Sequence, residues 1–153
     1  MAAIARLVSA AVAVALVGAA CSGDDDGGEP AIIDVGQAAV GVCLDVASDV
    51  GAEITELPTV ECTELHTHEI FAVVESAESV YPGFEALETE AQAACLAQFE
   101  PYVGVNAFDS ELFYSWLVPT LNSWEKEDDR EIICVVGNGN GAPLIGSVAG
   151  SRR

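Results

Sequence analysis

His66 and His68 are the only histidines in the chain, and they sit in Cys62-Thr63-Glu64-Leu65-His66-Thr67-His68-Glu69. In an extended segment Cys62, Glu64, His66 and His68 share one face, because side chains alternate along a strand. Two imidazoles beside a carboxylate are donors that a transition metal accepts. Against a metal site, Cys62 is required for a disulfide and no third histidine exists. The reading preferred here is structural: His66 orders the turn into the next strand through a hydrogen bond to Glu69. A metal- or small-ligand-binding module using His66 and His68 is the alternative.

Other constellations are weaker. Asp109-Ser110 has no histidine placed to complete a triad, and no Gly-x-Ser-x-Gly elbow is present. Gly137-Asn138-Gly139-Asn140-Gly141 follows an apolar run but lacks the Lys and Ser/Thr of a phosphate loop. Asp34, Asp45 and Asp49 do not have calcium-loop spacing. The expectation is therefore a protein that is not an enzyme and needs no cofactor.

Five cysteines remain to be explained. Cys21 follows an apolar leader. Arg6 precedes the 14-residue run Leu7 to Ala20, which is too short to span a bilayer and suits a signal peptide over residues 1–20. The run ends Val17-Gly18-Ala19-Ala20-Cys21, small residues before a cysteine, as in bacterial lipoboxes. Lipidation of Cys21, by palmitate or a similar acyl chain, anchors the chain on the extracytoplasmic face of the membrane. It also leaves an even set: Cys43, Cys62, Cys95 and Cys134.

Four exported cysteines imply two disulfides with three connectivities. Phe84, Leu87, Ala91, Cys95, Phe99 and Tyr102 recur at helical spacing, which puts Cys95 on a buried stripe. Cys134 alternates with Ile132 and Val136, as on a strand. Cys95–Cys134 then staples helix to sheet, and Cys43–Cys62 closes a shorter loop.

The elements that position these residues follow from pattern. Strands are expected at Val40–Leu44, Pro58–Cys62, Glu69–Glu75, Leu112–Val118 and Glu131–Val136. The helix after Tyr81-Pro82-Gly83 is expected to end at Pro101, and Thr120 is expected to cap a short helical turn through Trp124. The tail to Arg153 is expected to fray. Together these give an α+β fold: one long helix on a small, mostly antiparallel sheet. Residues 21–34 are expected to be the lipidated cysteine and a flexible acidic linker, and residues 35–151 the domain. The formal net charge is -20, and removal of residues 1–20 deletes Arg6 and leaves -21. Such a surface repels phosphate backbones, which excludes nucleic acid as a partner.

The residues resemble the septum-formation domain family of actinobacterial envelope lipoproteins. The resemblance rests on Gly41-Val42-Cys43, on Cys62-x-x-x-His66-x-x-Glu69 and on Tyr81-Pro82-Gly83. It continues through Cys95, Pro119-Thr120-x-x-x-Trp124, Arg130, Cys134 and Pro143-Leu144-x-Gly146-Ser147. Val42 and Leu65 depart from the Asp and Pro more usual there. The resemblance implies a cell-envelope role linked to septum formation, with an envelope protein or cell-wall component as partner. His66, His68, Glu69 and Trp124 are the candidate binding residues.

Overall fold

The computed structural model describes residues 31–46 and 54–153. The expected signal peptide and Cys21 lie outside the described residues. Six strands and two helices follow in order: β1 (Ala31–Asp34), β2 (Cys43–Leu44), β3 (Glu56–Val60), β4 (His68–Glu75), α1 (Phe84–Val103), β5 (Leu112–Leu117), α2 (Leu121–Lys126) and β6 (Glu131–Asn138). The strands form one sheet in the order β1-β3-β2-β4-β6-β5, with antiparallel neighbours throughout. The α+β expectation holds, and both disulfides pair as expected, Cys43–Cys62 and Cys95–Cys134.

The helix buries Leu87, Ala91, Cys95, Phe99 and Val103, a stripe at four-residue spacing. Gly104 ends it at φ 88°, donating its N–H to the Glu100 carbonyl in a left-handed cap. Pro101 lies inside the helix and does not end it. An interior proline costs about 3 kcal/mol. Burial of Val103 returns about 1.5–3 kcal/mol, and a hydrogen bond from Tyr102 to a carboxylate adds about 1.5–3 kcal/mol. These gains outweigh a donor lost in the last turn.

The central strands β4 and β6 are apolar on both faces. Ile132, Cys134 and Val136 face α1 with Phe71, Ala72 and Phe99, while Ile133 and Val135 face Ile70, Leu44 and Leu57. A register shift between Ile70 and Ala72 places Phe71 and Ala72 on the same, helix-facing side. Such a bulge inserts one residue into the alternation. Burial on both sides explains the unbroken apolar run Ile132–Val136. Ile33 and Leu117, from the two edge strands, both pack on the second cluster.

Beyond Pro101, several boundaries differ from expectation: β3 runs Glu56–Val60 rather than Pro58–Cys62, and β6 continues past Val136 to Asn138. Ala31–Asp34, placed in the linker by sequence, pairs with β3 as an edge strand. Only Cys43–Leu44 of the expected first strand is extended, because Val40-Gly41 turns with Gly41 at φ 89°. The tail does not fray: the Gly150 and Arg152 N–H groups donate to the Tyr102 and Val103 carbonyls, and Arg153 Nε reaches Glu111 at 2.8 Å. No described helix is long and apolar enough to cross a membrane.

Candidate functional site

Cys43, the segment Cys62–Glu69 and Ser147 are far apart in sequence and meet at one node. Cys43 on β2 pairs directly with Glu69 on β4. Glu69 sits at the start of a strand whose following residues are apolar and buried, and it is itself fully buried. A buried carboxylate requires donors, and three are present. The Tyr102 hydroxyl donates to Oε1 at 2.6 Å, the Ser147 hydroxyl donates to Oε1 at 2.6 Å, and the Val148 N–H donates to Oε2 at 2.7 Å. The Tyr102 hydroxyl pKa rises well above its ordinary 10, first through burial and then through its bond to Glu69 and that group's charge.

His66 is also fully buried. Its backbone bridges to Leu144 in both directions, at 3.1 and 2.7 Å, and Gly146 N–H donates to the Cys62 carbonyl at 2.7 Å. His66 Nδ1 lies 2.9 Å from the Glu64 carbonyl, which can only accept, so Nδ1 carries the proton. Nε2 is buried and has no hydrogen-bond partner among the described residues. The expected His66–Glu69 hydrogen bond is absent: Nδ1 is used on the Glu64 carbonyl, and Glu69 takes its donors from α1 and the tail. Residues 144–148 thus form a strap across the node.

Among the described residues, one group of three potential metal donors gathers: Cys43, His66 and Glu69, with ligand atoms within 4.8 Å of one another. These residues do not fit a metal as they stand. A metal binds the thiolate, and the Cys43 sulfur is bonded to Cys62. The pairing of His66 with His68 and Glu64 imagined from the sequence does not form such a group. His68 lies half-buried beside Gly137, with Nδ1 3.0 Å from the Thr67 hydroxyl. Burial, then the nearness of His66, lowers the His68 pKa from 6.5.

The second part of the motif set forms a separate cluster around α2. Thr120 caps the helix: its hydroxyl accepts from Ser123 N–H at 3.1 Å, and Ser123 Oγ accepts from Thr120 N–H at 3.1 Å. Trp124 is buried, with Tyr81 edge-on at 5.6 Å and the Arg130 guanidinium 3.9 Å above its ring. Arg130 Nη1 donates to the Trp124 and Asp129 carbonyls, and Nη2 pairs with Asp128 at 3.0 Å.

Of the four candidate binding residues, His66, Glu69 and Trp124 are buried and His68 is half-buried. None presents an open contact surface in this state; each holds separate elements together. Tyr102, Ser147 and the Val148 N–H escaped sequence reading. Glu69 itself was the available signal, since an acid at the head of an apolar strand needs donors from elsewhere.

A family model described as septum formation matches residues 29–134. The match contains all four paired cysteines, His66, Glu69 and Trp124, and stops before Ser147. No curated protein and no solved structure matches the chain.

Proposed function

The chain belongs to the septum-formation family, and on that premise we propose that it is an exported, lipid-anchored, non-catalytic binding module of the cell envelope, acting in septum formation. Cys21, after the apolar leader, is the lipid attachment site. Its partner is an envelope protein or cell-wall component. The observation that carries the non-catalytic reading is the burial of Glu69 and His66. The acid and the imidazole best suited to proton transfer lie where no substrate reaches them, and Glu69 already accepts three hydrogen bonds. Two disulfides support an oxidising compartment.

Intact mass of the protein from washed membranes tests the anchor. The expected species lacks residues 1–20, carries acyl mass on Cys21 and has no free thiol. Cys21→Ser releases the domain from the membrane fraction. Recovery of the wild type as an unacylated cytosolic thiol protein would overturn the proposal. Crosslinking in dividing cells, followed by mass spectrometry, tests the binding role; a wild-type chain that captures no partner counts against it.

A further inference from the structure

Glu75 and Glu131 stand directly opposite each other on β4 and β6. Like charges so placed destabilise a sheet. Asp129 accepts the Glu131 N–H at 2.9 Å, and burial, then Asp129 and Glu75, push the Glu131 carboxyl up from 4.5. The neighbouring cation does not relieve this repulsion, because Arg130 is committed to Trp124, to two carbonyls and to Asp128.

These acids line a groove of about 900 Å³. Seven of its lining residues are acidic and one, Arg130, is basic. Its apolar lining comes from both edge regions, Val35 and Ile54 on one side and Leu117 and Ile133 on the other. One wall is the capped α2 segment, held rigid by the Thr120–Ser123 box.

Strand β5 borders the groove, and no described strand pairs with its outer edge. The Gly139 N–H donates to the Glu111 carbonyl, so Glu111 and Gly139 form a hydrogen-bonded pair. Such pairs alternate along an antiparallel ladder. The backbone groups of Tyr114 and Trp116 therefore point away from β6, toward the open edge.

We infer that this groove binds an extended, lysine- or arginine-bearing segment of a partner protein, added as a strand to the edge of β5. The backbone of Tyr114 and Trp116 supplies the ladder; on the face that Leu117, Ile133, Glu131 and Glu75 share, the cationic side chains lay their aliphatic stems over Leu117 and Ile133 and reach Asp129, Glu131 and Glu75, while the alternate small apolar side chains turn to the opposite face, beside Trp116. Strand addition draws affinity from main-chain bonds and specificity from alternate side chains. This rests on the binding-module reading and names the partner's chemistry.

Fluorescence anisotropy on the full chain in detergent micelles tests it, with labelled peptides alternating Lys-Val, Lys-Pro or Glu-Val. Lys-Val should bind; Lys-Pro, which lacks half the ladder donors, and Glu-Val should not. Glu75→Gln with Glu131→Gln should weaken Lys-Val about tenfold while the thermal midpoint holds or rises. Glu61→Gln with Glu64→Gln, the same charge change on exposed residues outside the groove, should leave binding within about twofold. Equal binding of Lys-Pro and Lys-Val, or equal losses in the two double variants, would show attraction to net charge alone and overturn the inference. Crosslinking in cells separates the two readings. Equal partner capture by wild type and the Glu75→Gln, Glu131→Gln chain sinks the groove and leaves the module. No capture by wild type sinks the module.

Discussion

Tyr102 near the end of α1 donates its hydroxyl to Glu69 near the start of β4, across 2.6 Å. The bond ties the last turn of the helix to the sheet at the point where the tail also docks. Gly150 N–H donates to the Tyr102 carbonyl, and Ser147 shares Glu69 Oε1 with Tyr102. One carboxylate thus joins helix, sheet and C-terminal strap.

Glu69→Gln should destabilise the domain by about 1–3 kcal/mol, because the amide sets a donor against Tyr102 and Ser147 or against Val148 N–H. Tyr102→Phe should cost about 1.5–3 kcal/mol, the loss of one hydrogen bond to a carboxylate. Urea unfolding followed by the fluorescence of Trp116 and Trp124 measures both. A Glu69→Gln midpoint equal to that of wild type would refute the account.

The half-buried His68 predicts a loss of stability toward acid. Its folded pKa lies below 6.5, so the unfolded chain binds the extra proton first. The contribution is complete above pH 6.5 and disappears as pH falls through the folded value. Tyr102 has the opposite sense: its folded pKa is raised, so stability falls once pH exceeds about 10 and the unfolded phenol ionises. Unfolding midpoints across pH should lose the acid-side slope in His68→Gln and the alkaline slope in Tyr102→Phe.

Graded reduction should break the disulfides in order. Cys62 is half-buried, whereas Cys95 and Cys134 are fully buried in the main core. Timed alkylation with mass spectrometry in a dithiol should label Cys43 and Cys62 first, and Cys95 and Cys134 only when the domain unfolds. Replacing Cys95 and Cys134 with Ala should cost about 4 kcal/mol by chain entropy, against about 3 kcal/mol for Cys43 and Cys62.

Gly137 on β6 leaves room for its neighbours. A Cβ there would lie 2.9 Å from the Thr67 carbonyl oxygen and 3.1 Å from the His68 ring. The carbonyl is backbone and cannot swing aside, so Gly137→Ala should cost about 1–3 kcal/mol. A thermal midpoint unchanged in that variant would show that the β4–β6 junction relaxes freely.

Local pattern alone determined a large part of this protein. Four-residue spacing marked the stripe from Leu87 to Phe99, and that stripe selected Cys95 as the partner of Cys134. Thr120 announced the α2 cap, and short runs rich in β-branched and aromatic residues located β4, β5 and the start of β6. These signals are legible because they arise within one turn or one strand. The tertiary structure alone decided the rest. Pro101 stays helical because Tyr102 finds Glu69 and Val103 finds the core. Ala31–Asp34 is a strand because β3 offers an edge. The tail is ordered because Ser147 and Val148 meet a carboxylate 78 and 79 residues away. A buried polar group is satisfied by whichever donors the fold brings to it, and no spacing in the chain records which those are.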